Sequence, residues 1–437
     1  MNKSKTKFLT TAAVACLLTL SACSASPASG PTSDTQTQTQ TQTQTQTQAQ
    51  SNVTISFMSN IVGAQADALQ QVVTDFTNQT GIKVDYTAPG ADYETLMATK
   101  MAANDMPDVF TTHGWSVLRY SPFLATVNDQ PFFSKITPQI KPVITDSSGN
   151  VYVLPVDQDV AGLVYNVDVL KAANVDPSTL TTWAKFTDAL AKIKASGVTP
   201  LHVGGKDTWT IGQFGDWIAP SFFITNDASN QRSALTSGTF DQDTWQQVAQ
   251  LMSDWVKAGY FNQDSMTADY NSDAASMAQG TSAFGFYGNS FMVDAHAVNP
   301  NANLGLMPIP AATDSDTPSF AAGEKLAIGV WKDSPNKDAA FQFLNFVAQD
   351  ANIKTLAQAS GSSAGLTGVT PDLGPLQTYI DQYSSIRTFP YFDRAYLPNG
   401  MWDIMCSTGA DILTQQPNAV SQAASTMAQN FKDKFAG

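Results

Sequence analysis

VTISFMSNIVGAQADALQQVVTDFTNQTGIKVDY (residues 53–86) decides the fold. Its first residues, Val53 to Phe57, alternate polar and apolar side chains as a half-buried strand does. Leu69, Val72, Val73 and Phe76 then recur at the spacing of one helix face, which stops at Gly81, and Ile82 to Tyr86 alternates again. Beyond this stretch Tyr93, Leu96, Met97 and Met101 stripe a second helix up to Pro107, and Val109-Phe110 begins a third strand. Strand, helix, strand, helix, strand is the order of an α/β layer built on a mostly parallel sheet.

The same pattern returns further along. Gly162 to Tyr165 reads as a buried strand, and Trp183, Phe186, Leu190 and Ile193 stripe a helix that ends at Gly197. Trp245, Val248, Leu251, Met252 and Trp255 make a second long apolar face, and Phe341, Leu344 and Val347 a later one. Rings at helical spacing serve a core, so Trp183, Trp245 and Trp255 are expected to pack rather than to touch a ligand. The chain after residue 51 exceeds what one hydrophobic core holds, which predicts two domains.

The first 22 residues have the grammar of an export signal: Lys3, Lys5 and Lys7, a short apolar run, then small residues closing on Leu20-Ser21-Ala22-Cys23. That run is too short for a membrane-spanning helix. The closing tetrapeptide resembles the lipobox of bacterial lipoproteins, which implies cleavage before Cys23 and a lipid on its thiol. An ordinary signal cut near Ala22 or Ala25 is the alternative. Residues 23–51 run through Ser, Ala, Pro and Gly into alternating Thr and Gln from Thr35 to Gln48. No residue of that tract buries enough apolar surface to offset the cost of ordering it, so it reads as a solvated tether.

Loss of the three signal lysines, with no acid, takes the formal charge from −14 to −17. Such a surface repels phosphate backbones and anionic headgroups, which excludes nucleic acid as a partner and leaves the lipid as the route to a membrane. Cys16 departs with the signal and Cys23 is the acylation site, which leaves Cys406 with no partner for a disulfide. His113, His202 and His296 lie far apart without ligand spacing, so neither a metal nor another cofactor is expected. Gly361-Ser362-Ser363-Ala364-Gly365 matches a nucleophile pattern but follows no apolar strand, and reads as a polar loop. Asp241-Gln242-Asp243 reads as the start of the Trp245 helix.

Several longer stretches together resemble one family: DFTNQTGIKVDY (75–86), YETLMATKMAANDMPDVF (93–110), GNVYVLPVDQDVAGLVYNVDVL (149–170), AASMAQG (274–280) and LMPIP (306–310). They are similar to the extracellular solute-binding proteins of ABC sugar importers, nearest to the maltodextrin and multiple-sugar branch. The resemblance implies two α/β lobes with a ligand cleft between them and a hinge that the chain crosses more than once. By this likeness the crossings fall near Leu154-Pro155-Val156, near Tyr287-Gly288-Asn289 and near Phe320 to Glu324. Lobe 1 then comprises residues 52–156 and 287–320, and lobe 2 residues 157–286 and 321–437. The implied partners are an oligosaccharide and the membrane permease of an ABC transporter. A monomer outside the cytoplasm is expected, held to a membrane by its lipid in the manner of bacteria with a single membrane.

A sugar cleft needs flat rings to cover pyranose C–H faces and carboxylates or amides to take hydroxyl hydrogens. The loop residues that offer these groups are Asn60, Thr112, His113, Asp157, Asp159, Trp209, Tyr287, Glu324, Asp393 and Trp402. The resemblance singles out Asp159, at the offset of a sugar-binding carboxylate between the hinge proline and Tyr165-Asn166, and Trp402, placed like a stacking aromatic. Thr112 stands where that family has an aromatic contact, a departure from the maltodextrin pattern. The competing classes are a glycoside hydrolase using Asp157 and Asp159 as acid and base, and a peptide-binding protein of the same fold.

Overall fold

The computed structural model describes residues 53–112, 117–374, 376–382 and 385–435. The export signal, Cys23, the tether and His113 lie outside the described residues.

Thr54–Met58 buries Ile55 and Phe57 completely on one side and pairs in parallel with Lys83–Thr87 and with Val109–Thr112. The connecting helix, Gly63–Thr80, turns its Leu69, Val72, Val73 and Phe76 face inward and ends at Gly81, whose φ of 76° few other residues adopt. Val109–Thr112 is buried on both faces because it is central, and Ala327–Val330 and then Leu154–Pro155 extend the sheet antiparallel beyond it. Helix Lys337–Val347 covers it, and Phe343 meets Phe57 and Phe76 at ring separations of 5.3 and 5.1 Å.

A second core forms around the sheet Thr199–Leu201, Ser282–Gly285, Leu163–Asn166 and Leu304–Met307. The expected packing tryptophans sit here. Trp183 lies parallel to Phe286 and donates its indole N–H to Ser221, 2.8 Å away; Trp255 donates to Thr187 at 2.8 Å. A buried indole with its donor satisfied has nothing to offer a ligand. Asp241 caps its helix by accepting the amides of Asp243 and Thr244.

The chain passes between the two cores three times: between Val156 and Ala161, between Ala321 and Leu326, and between Leu366 and Leu373. A small sheet gathers the first two passages with the strand just before the third and one beyond it, in the order Ser363–Ala364, Asp157–Ala161, Phe320–Gly323 and Thr388–Phe389. This corrects the expected lobes. Residues 304–309 belong with the second core because Leu304–Met307 pairs with Leu163–Asn166, and residues 326–366 belong with the first because Ala327–Val330 pairs with Val109–Thr112. Nor does the chain cross at Tyr287 to Asn289: Tyr287 stacks on Phe291 at 4.1 Å within the second core. Ser363-Ala364, read as loop, is a strand of the hinge sheet.

Candidate functional site

A cleft of about 820 Å³ opens between the two cores. Its aromatic side belongs to the second core. Trp209, expected in a loop, is the first residue of helix Trp209–Phe223 and packs at 5.1 Å from Tyr270. The stacked pair Tyr287 and Phe291 continues the ring-lined wall. Its phenols are held by carboxylates, one buried and one half-buried: the Tyr287 hydroxyl donates to the buried Asp273, which also accepts the Gly204 amide and contacts His202 Nδ1 at 2.5 Å, and Tyr270 donates to the half-buried Asp294 at 2.7 Å. Burial, reinforced by these carboxylates, pushes both phenols well above their ordinary pKa, so they keep their protons.

Asp159 enters the cleft from the hinge strand Asp157–Ala161 and is 7% exposed. Tyr391 donates its hydroxyl to Asp159 Oδ2 at 2.8 Å, while Oδ1 is buried with no hydrogen-bond partner among the described residues. Gly288 makes the approach possible, since a Cβ there would lie 2.7 Å from Oδ2. Arg394 stands 3.9 Å over the Tyr391 ring and donates to the Glu324 carbonyl at 2.7 Å. That guanidinium orients the phenol that orients the carboxylate.

At another part of the wall Asp216, on the same helix as Trp209, accepts the backbone N–H of Asp393 at 2.7 Å. Burial, with the Asp393 carboxylate as the next cause, pushes Asp216 well above the usual carboxylate range. Arg119 reaches Asp393 Oδ2 at 3.5 Å, and both side chains are buried. Arg119 precedes Tyr120 of the first core and Asp393 follows Phe392 of the second, so the contact joins the two lobes across the cleft. Trp402, in helix Met401–Leu413, lies where a Cβ on Gly212 would meet its ring at 3.2 Å. Carboxyl side chains outnumber cations on the lining, a field that disfavours an anionic ligand.

Of the residues expected to touch ligand, Asn60, Asp159, Trp209, Tyr287, Asp393 and Trp402 line the cleft together. Asn60 is pinned there by Thr111, whose hydroxyl donates to its side chain at 2.6 Å and accepts its amide at 3.0 Å. Three others do not line it. Thr112 is fully buried in the central strand, its backbone paired with Ala327. Glu324 is 1% exposed and its carboxylate lies 3.8 Å from Arg394. Asp157 is fully buried and accepts the amides of Lys325 and Leu326, both at 2.9 Å, together with Gln65 at 2.6 Å and Ser360 at 3.2 Å. Strand residues two apart share a side, so spacing alone does not separate Asp157 from Asp159; their partners do. A carboxylate committed to the hinge backbone is not placed to share a glycosidic bond with Asp159.

Gln213, Asp216, Tyr391, Arg394 and Arg119 also line the cleft and were missed. Gln213 and Asp216 were within reach, being four and seven residues after Trp209 on one helix face. Tyr391, Arg394 and Arg119 carry no local signal, since only packing brings their segments to the hinge.

Residues 63–354 match the family described as bacterial extracellular solute-binding protein. The chain is 33% identical over 359 residues to the melibiose/raffinose/stachyose-binding protein MelE of Bacillus subtilis (strain 168), a match that covers 81% of this chain and 84% of that protein. Two solved structures are similar throughout. One is a sugar transporter protein of Bacillus licheniformis in complex with stachyose, 34% identical with a TM-score of 0.81, covering 87% of this chain and 100% of that one. The other is the Bacillus subtilis binding protein msme in an open conformation, 31% identical with a TM-score of 0.75, covering 88% and 98%.

Proposed function

The chain belongs to the bacterial extracellular solute-binding proteins, and on that premise we propose that it captures a neutral oligosaccharide between its lobes and delivers it to the permease of an ABC transporter. One observation carries this reading: the cleft sets a wall of rings, Trp209, Tyr270, Tyr287 and Phe291, in the same cavity as an Asp159 carboxylate held ready by Tyr391. Rings cover the apolar faces of sugar units and the carboxylate takes hydroxyl hydrogens. The sugars named for the relatives, melibiose, raffinose and stachyose, each carry galactose at the non-reducing end and are the first ligands to try.

The protein acts as a monomer without catalysis, anchored outside the cytoplasm by lipid on Cys23. The lipobox-like Leu20 to Cys23 and the polar tract behind it support that anchor. Calorimetric titration with the three sugars tests the ligand: at least one binds, and binding tolerates salt because a neutral ligand brings no charge to screen. No heat from any of the three, or affinity that collapses with moderate salt, would end the proposal. An unmodified Cys23 in the mass spectrum of the mature protein would end the anchor.

A further inference from the structure

We propose that Gln213 is a second ligand-reading residue of the cleft, a specificity determinant that works beside Asp159 on the hydroxyls of the same sugar; this rests on the sugar-binding reading. Among the described residues, the buried side-chain acceptors that lack a hydrogen-bond partner and also line the cleft are Asp159 Oδ1 and Gln213 Oε1. Native proteins leave few such atoms, because a buried acceptor without a donor keeps its full desolvation cost. Asp159 already has its explanation in the cleft. Gln213 shares the position and the deficit.

The helix places it to act. Gln213 stands one turn after Trp209 and one turn before Trp217, and all three line the cleft. Asp216, three residues on, is committed to the Asp393 amide, which leaves Gln213 as the uncommitted polar side chain of that face. An amide flanked by two indoles matches the edge of a pyranose, whose hydroxyls both donate and accept while its C–H faces lie against rings. The amide makes no demand on ligand charge, so the class it selects is a neutral polyol.

The test is Gln213→Leu, which keeps the bulk and removes the polar end. A merely structural glutamine would cost ligand-free stability on replacement. A ligand-reading one leaves the ligand-free melting temperature unchanged or raises it, since an unsatisfied buried acceptor has gone. Affinity for the best-bound of melibiose, raffinose and stachyose should fall by about tenfold. Affinity within about twofold of the parent protein overturns the proposal, as does a ligand-free melting temperature that drops together with affinity. A parent protein that binds none of the three sugars sinks the sugar reading itself. The ligand-free melting temperature of Gln213→Leu still decides on Gln213 in that case: an unchanged or higher value supports an acceptor waiting for a ligand of another class, and a fall overturns it.

Discussion

Asp157 and Asp159 are two positions apart and opposite in work. Asp157 satisfies the Lys325 and Leu326 amides and Gln65, so Asp157→Ala strands several buried donors and should cost about 3 kcal/mol of stability, read by denaturant unfolding. Asp159→Asn keeps an acceptor for Tyr391 and should leave stability nearly unchanged while weakening sugar binding by about 1.5–3 kcal/mol in calorimetry. Equal stability losses in the two variants would contradict the division. Asp216 makes a pH prediction. Burial and the neighbouring Asp393 raise its folded pKa above the unfolded carboxylate value, against the opposing charges of Arg394 and Arg119. The folded state then holds the extra proton, so this contribution to stability is present at low pH and is lost as pH rises through that window. Asp216→Asn still accepts the Asp393 amide and removes the loss. The melting temperatures of variant and parent should diverge as pH rises above the ordinary carboxylate range, the variant gaining; parallel curves would refute the assignment.

At the scale of elements, helix Trp209–Phe223 carries one wall of the cleft and rests on helix Met401–Leu413 where Gly212 admits the Trp402 ring and Cys406. A Cβ on Gly212 would lie 2.6 Å from Cys406 Sγ and 3.2 Å from the indole. Gly212→Ala must push the two helices apart or turn Trp402, at a cost of about 1–3 kcal/mol. If Trp402 covers a sugar face, affinity falls with it, and the tryptophan emission of the ligand-bound protein shifts. A variant with full affinity and unchanged emission would show that the ring takes no part. The α/β character of both halves was legible, because apolar periodicity in Leu69 to Phe76 and Trp183 to Ile193 is local. Trp209, grouped by sequence with the loop residues, begins a helix instead, and Gly212 within that helix serves close packing.

For the whole molecule, the lobes meet through Arg119 and Asp393, with Asp216 behind. Opening the cleft would separate the guanidinium from two neighbouring carboxyls, so the pair favours the closed form before any sugar arrives. Arg119→Ala should shift the ligand-free protein toward open shapes, seen as a larger radius of gyration in X-ray scattering, and lower affinity by about tenfold. A ligand-free scattering profile identical to that of the parent would mean that Arg119 serves the ligand alone.

What the sequence determined by itself was whatever short-range pattern encodes. Val53 to Tyr86 specified strand, helix and strand, and the tryptophan stripes specified a core, while Asp159 was pointed to by the family resemblance of the stretch around it and not by periodicity. Tertiary structure alone decided which segment joins which lobe, since Leu304–Met307 and Ala327–Val330 find their partners through ladders to strands far away in the chain. It also decided that Asp157 serves the hinge and Asp159 the cleft, because their partners Gln65, Leu326 and Tyr391 come from distant segments. Periodicity records which face of an element is apolar; the identity of the surface that covers it is a long-range fact, settled when the chain folds.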